Sequence, residues 1–203
     1  MNGQNRYLQA LAGHLIDIYR LISLNFKNPH SYTKFRQIAN LKHKTKSTVL
    51  IETGTYLGVT TKRCSPIFDK IYTIELDHKL AEQAKSYLSN NKNVEVIQSD
   101  ALDILTNVLD KNDINNILLF LDAHFSGGVT ACGDYPEPAI EELKIIARYK
   151  SKVKCIIIDD FRLFGSEKGF PSKSELLKNI EDNFENFDVS IHLDQLIITS
   201  KVR

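Results

Sequence analysis

The sequence predicts an α/β protein: a doubly wound, mostly parallel seven-stranded sheet whose last strand is antiparallel, preceded by a helical N-terminal extension. Three observations predict it. From residue 48 onward, short apolar strands alternate with helix-patterned segments, as in a parallel sheet covered on both faces. The tail reads as two strands joined by a tight turn at Leu193-Asp194, which reverses the final strand. Every strand of the alternating part is followed by an acid, namely Glu52, Glu75, Asp100 (two residues past its strand), Asp122 and Asp159-Asp160. Ligands of such sheets sit outside the carboxyl ends of the strands, so these acids mark the functional edge.

The elements follow in order. Leu8, Leu11, Leu15, Ile18 and Ile22 recur at spacings of three and four and so share one helix face. A polar, basic stretch runs from Asn25 to Ser47 and contains Lys42-His43-Lys44-Thr45-Lys46. Residues 1–47 are therefore read as a helical extension docking on a main domain of residues 48–203. In that domain Thr48–Glu52 is a short apolar strand, followed by a glycine-containing turn and a helix to about Phe68. Lys70–Glu75 is a strand and His78–Asn90 a helix; Asn93–Gln98 is a strand and Ala101–Leu109 a short helix. Ile117–Asp122 and Lys154–Asp159 are apolar enough to be buried strands, with the helix Pro138–Tyr149 between them. Pro171 and Ser172 open a helix to Asn183. Phe187–His192 and Gln195–Thr199 form the closing pair.

Composition sets the outer limits. Among 203 residues, 42% are hydrophobic and 25% charged, an ordinary globular balance. The net charge of +1 hides a split: residues 1–63 carry ten Lys/Arg against two Asp/Glu, and the remainder carries sixteen against twenty-three. Cys64, Cys132 and Cys155 form no CxxC pair, so a reducing, cytoplasmic setting is expected. The longest apolar runs, Ile117–Leu121 and Cys155–Ile158, fall far short of the roughly 20 residues a membrane helix needs, and no membrane partner is expected. The basic run 42–46 is read as a solvated face. It lacks the interleaved aromatics of single-strand binders, so nucleic acid is not expected as a partner.

The first turn, Glu52-Thr-Gly54-Thr-Tyr56-Leu-Gly58, joins a strand to a helix. Gly54 permits close approach of a ligand to the backbone, and Gly58 permits tight packing at the helix start. The amides there, with the Thr60 and Thr61 hydroxyls, suit a carboxylate or phosphate. The G-x-x-x-G spacing differs from the G-x-G-x-x-G of dinucleotide sites and counts against NAD. Glu75, at the next strand end, can accept both hydroxyls of a ribose or be a solvated strand-end acid. Asp100 can accept from an adenine amino group, cap the helix at Ala101, or do both.

Taken together, E-x-G-x-x-x-G, Ile74-Glu75-Leu-Asp77, Ser99-Asp100-Ala101 and Leu119-Phe-Leu-Asp122 resemble the class I S-adenosylmethionine-dependent methyltransferases, with their Rossmann-like fold. The resemblance implies that Glu52, Gly54 and Gly58 cradle the methionine part of the cofactor, that Glu75 binds ribose and that Asp100 lies beside adenine. Thr55, Tyr56, Thr60, Ala101 and Asp122 complete the expected cofactor set.

Asp122-Ala-His124 and Asp159-Asp160 end adjacent central strands, so their carboxylates are expected to converge. Three carboxylates at close quarters repel and favour a hard divalent cation, Mg²⁺ before zinc. The arrangement resembles metal-dependent O-methyltransferases, including sugar enzymes, which implies Asp122, Asp159 and Asp160 as metal ligands. The metal-free alternative has Asp122 orienting the methionine amino group. His124 can act as a base on a substrate hydroxyl, as a ligand, or be structural. Gly127-Gly128, in the long segment from Phe125 to Pro138, reads as a hinge for a lid. Arg162 can clamp an anionic substrate or form a salt bridge. The expected function is transfer of a methyl group to the hydroxyl of a small molecule, with Asp122 and His124 catalytic, Mg²⁺ assisting, and the N-terminal helix available for a homo-oligomer. A metal-dependent glycosyltransferase and a catalytically silent interaction domain are the alternatives.

Overall fold

The protein is described by a computed structural model that covers residues 3–25, 28–123 and 137–201. In chain order the elements are α1 (Gly3–Ile22), α2 (Ser31–Thr45), β1 (Val49–Thr53), α3 (Val59–Cys64), β2 (Lys70–Glu75), α4 (His78–Leu88), β3 (Val94–Gln98), α5 (Ala101–Leu109), β4 (Ile117–Leu121), α6 (Ala139–Ala147), β5 (Val153–Ile158), a 3₁₀ turn (Phe161–Leu163), α7 (Lys173–Asn183), β6 (Phe187–His192) and β7 (Gln195–Ser200). They build one seven-stranded sheet in the order β3-β2-β1-β4-β5-β7-β6. β1 to β5 are mutually parallel, and β7 alone runs against its neighbours β5 and β6. The expected sheet, including its reversed last strand, is the one observed.

Local chemistry accounts for the element boundaries. β1 and β4 are buried at every position, so they read as unbroken apolar runs rather than alternating ones. The Asp77 carboxylate accepts the Leu80 amide at the start of α4. Asp100 accepts the Leu102 amide and opens α5, while Ser172 and Glu175 form a reciprocal capping box on α7. The β6–β7 turn has φ 47° at Leu193 and 67° at Asp194. Two successive left-handed residues give the hairpin twist that matches the flanking strands.

Strand residues alternate between two cores. Ile51, Ile74, Leu119, Ile156 and Ile198 face α5, α6 and α7. Leu50, Ile71, Phe120, Ile157 and Ile197 face the opposite side, where Ile38 and Leu41 of α2 and Cys64 of α3 close the layer. The stretch from Asn25 to Ser47, polar and basic in sequence, thus contains a helix that buries a narrow apolar strip against the sheet.

The apolar stripe of α1 does not dock. Leu8, Leu15 and Ile22 are 65%, 62% and 77% exposed, and Leu11 and Ile18 are also in solvent. The helix is held by its polar side instead. Asp17 accepts from the His30 amide at 2.7 Å and from the Thr33 hydroxyl at 2.6 Å. His14 Nδ1 lies 2.8 Å from the same hydroxyl. Gly13 makes the approach possible, since a Cβ there would fall 2.5 Å from the His30 ring. Among the described residues no helix is long and apolar enough to cross a membrane. Cys64 and Cys155 are buried free thiols, and Cys132 lies outside the described residues.

Two predictions follow from the packing. Gly54 has φ +90°, and a Cβ built on it would stand 2.2 Å from the Asp122 carbonyl oxygen. Gly54→Ala therefore forces β1 and β4 apart at their carboxyl ends and should cost on the order of 3 kcal/mol in urea unfolding. Glu142 on α6 is 1% exposed, and burial, with Glu137 nearby, pushes its carboxyl up to about 8 from an ordinary 4.5. The native state keeps a proton there that the unfolded chain has released, so stability should fall as pH rises from about 4.5 to about 8. Glu142→Gln should flatten that slope and stabilise the protein at pH 8.5 by a few kcal/mol, roughly the size of such a shift.

Candidate cofactor and acceptor site

The turn after β1 is built around two buried glutamates. Glu52 is 2% exposed, and it accepts from the Thr61 hydroxyl at 2.5 Å and the Thr73 hydroxyl at 2.7 Å. Burial pushes its carboxyl up to about 7 against the pull of those two hydrogen bonds. Thr55 and Thr73 share a hydroxyl hydrogen bond of 2.6 Å. The chain reverses at Gly54 and passes through Tyr56, which adopts φ +49° although it carries a side chain, and its ring is half exposed. Gly58, at φ +70°, leads into α3.

Glu75 fastens this turn to β2. One carboxylate oxygen accepts the Tyr56 amide at 2.7 Å and the other the Asp77 amide at 3.0 Å. Burial raises its pKa, while the amide hydrogen bonds oppose the rise. Asp100 and Ala101 stand at the end of β3, the next strand outward. The Asp100 carboxylate caps α5, so the capping role foreseen for it is realised.

On the other flank of the turn, Asp122, Asp159 and Asp160 come together as expected, with carboxylate oxygens within 4.8 Å of one another. The cation between them is the chain's own. Lys34 of α2 places its ammonium 2.8 Å from Asp122 Oδ2 and in direct contact with Asp159 Oδ2. Burial pulls the lysine pKa down, but the two carboxylates outweigh it and the net shift is upward. The other Asp159 oxygen accepts from Gln195 at 2.9 Å. Asp160, left-handed at φ +52°, accepts from Arg162 at 2.6 Å, and the same guanidinium contacts Asp194.

These contacts bear on two expectations. The Mg²⁺ site at Asp122, Asp159 and Asp160 does not fit, because an ammonium already bridges two of the three ligands and a guanidinium holds the third. Arg162 is engaged in ion pairs with Asp160 and Asp194, the salt-bridge alternative to a substrate clamp. His124, the Gly127-Gly128 hinge and Cys132 lie outside the described residues.

A cavity of about 600 Å³ opens beside the turn. It is lined by Glu52, Gly54, Thr55, Tyr56, Thr60 and Asp122, by Ala10, Arg20, His30 and Lys34 of the N-terminal extension, and by Arg162. Sequence reasoning gave no site role to Lys34. The only signal was indirect: three converging carboxylates demand a cation, and the extension is rich in them. Lys44 and Lys46 belong to a separate cleft at the opposite end of the sheet.

Comparison with known proteins gives this geometry a family. The family model described as "Ribosomal RNA adenine dimethylase" matches residues 24–131. "Ribosomal RNA small subunit methyltransferase A" from Mycoplasma capricolum is 35% identical over 82 residues, covering 40% of this chain and 30% of that protein. The chain therefore spans under a third of the length of that relative. Among solved structures, a caffeoyl-CoA O-methyltransferase assignment from Staphylococcus aureus has 20% identity and TM-score 0.58, covering 98% of this chain and all of that one. The S-adenosylhomocysteine-bound methyltransferase PaMTH1 of Podospora anserina has 15% identity and TM-score 0.59, over 83% and 78% of the two chains. At those identities the structures speak for the fold alone.

The relatives overturn two expectations. They are named for ribosomal RNA, against a small-molecule hydroxyl as acceptor and against the exclusion of nucleic acid. An enzyme that draws one base into a pocket needs no stacking platform along a strand, so missing aromatic interleaving does not exclude nucleic acid. The matched stretch holds α2 with Lys34, the Gly54 turn, Glu75, Asp100 and the end of β4, more than half of the chain, and the protein belongs to the ribosomal RNA adenine dimethylase family of class I S-adenosylmethionine-dependent methyltransferases.

Proposed function

We propose that the protein methylates the exocyclic amine of an adenine in RNA. The observation that carries this reading is the family match across residues 24–131, which takes in the Gly54 turn, Lys34 and Asp122. The residues present suit S-adenosylmethionine. Gly54 lines the cavity with bare backbone, packed so close to β4 that a Cβ would stand 2.2 Å from the Asp122 carbonyl oxygen, and Glu75 offers a largely buried carboxylate at the end of β2. When bound, the cofactor supplies an electrophilic methyl group.

The chain's own residues then have distinct tasks. Gly54, Thr55, Tyr56, Gly58 and Thr60 hold the methionine end, with Glu52 beneath them. Glu75 accepts the ribose hydroxyls, and Asp100 with Ala101 borders the adenine ring. An aromatic amine is a poor nucleophile because its lone pair is delocalised into the ring. Asp122, at the end of β4 beside the turn, accepts a hydrogen bond from that amine, which localises the lone pair toward the methyl donor and stabilises the positive charge on the methylated nitrogen until its proton passes to water. In-line placement supplies much of the acceleration. A base reaches this position only after leaving its stack, and the cavity lies within the size range of sites that enclose small ligands.

Two measurements test the reading. Calorimetry should show one S-adenosylhomocysteine bound per chain, with Glu75→Ala weakening it at least about tenfold, or 1.4 kcal/mol; an unchanged affinity removes Glu75 from the site. Radiolabelled methyl from S-adenosylmethionine should enter transcribed small-subunit ribosomal RNA, and digestion should yield N6-methylated adenosine. Label on a ribose hydroxyl, or none on RNA from a chain that binds S-adenosylhomocysteine, would sink the acceptor assignment.

A further inference from the structure

The three sheet-end carboxylates have the composition and spacing of a divalent-cation site, yet their charge is balanced by side chains. Lys34 bridges Asp122 and Asp159, Gln195 donates to Asp159, and Arg162 pairs with Asp160. Lys34 is not a surface lysine that has folded over by chance. Its side chain is 12% exposed. Its ammonium sits 5.8 Å from the centre of the Phe120 ring, and its helix is pinned to the sheet by Ile38 and Leu41. An ammonium fixed at that point repels a second cation and occupies oxygens that a hard metal would need.

We propose that Lys34 is the resident cation of this cluster, a positioning residue that holds Asp122 toward the cavity without a metal, and that deleting its charge uncovers a divalent-metal site at Asp122 and Asp159, with Asp160 staying paired to Arg162. Asp122 orientation then depends on a residue 88 positions earlier in the chain. The N-terminal extension is thereby part of the site's chemistry. This inference stands whichever methyl acceptor the enzyme uses.

The test is a titration with Mn²⁺, followed by electron paramagnetic resonance of the free ion, on the full chain. Wild type and Lys34→Arg should bind no Mn²⁺ up to 1 mM, roughly the upper range of weak cation modules. Lys34→Met, which keeps the stem and removes the charge, should bind one ion per chain at least ten times more tightly. Adding Asp159→Asn to Lys34→Met should abolish that binding. Methyl transfer by wild type should survive chelation, whereas the activity lost in Lys34→Met should return with Mn²⁺. The proposal is overturned if wild type binds one ion that Asp159→Asn removes. It is equally overturned if Lys34→Met retains its circular dichroism and S-adenosylhomocysteine affinity and still binds none. Should Lys34→Met fail to fold, the wild-type titration decides alone: no bound ion supports the proposal, and one ion sensitive to Asp159→Asn rejects it.

Discussion

The Lys34 bridge between Asp122 and Asp159 is the contact on which the arrangement of the site depends. A buried carboxylate without a counter-charge is costly, and breaking one partner of such a pair generally costs more than the pair contributes. The sheet brings Asp122 and Asp159 together because β4 and β5 are neighbours whose ends are in register, Leu121 beside Ile158. Having made that juxtaposition, the fold must neutralise it. It does so from outside the sheet, by laying α2 across the face that carries Phe120. The same placement lines the cavity with residues of the extension, so charge balance and the shape of the cavity have one cause.

This also changes the meaning of the uneven charge along the chain. The basic first third and the acidic remainder suggest an arm reaching for an external partner. At least one of those bases is directed inward, onto acids at the strand ends. Part of the asymmetry is therefore internal complementarity between two parts of one molecule.

The alternation of strands and helices from residue 48 was legible because each parallel strand is a short apolar run bounded by polar residues. The turn at Leu193-Asp194 was legible because only a two-residue connection separates the closing strands. The convergence of Asp122, Asp159 and Asp160 was legible too, since strand ends of a doubly wound sheet meet at one edge. What filled that convergence was not. Lys34 lies on a helix with a weak apolar pattern, and nothing local distinguishes it from Lys42 or Lys44; only the packing of α2 across the sheet selects it. Glu142 was missed for a related reason: on a helix a glutamate is ordinarily a surface residue, and its burial comes from the sheet and helices around α6. The stripe of α1 misled in the opposite direction, because periodicity reports that a face exists and not what covers it.

The attachment of α1 has a consequence of its own. With most of its leucine and isoleucine surface in water, the helix depends chiefly on the Asp17 carboxylate and its donors on His30 and Thr33, helped by the His14–Tyr32 and Arg63–Tyr7 contacts. Burial pushes that carboxyl up, but the hydrogen bonds and the nearby imidazole outweigh it, and its pKa ends below the ordinary 3.8. The contribution is whole above that value and disappears as the pH drops through the lower, folded one. Acid, rather than cooling, is the agent that would loosen the wall of the cavity.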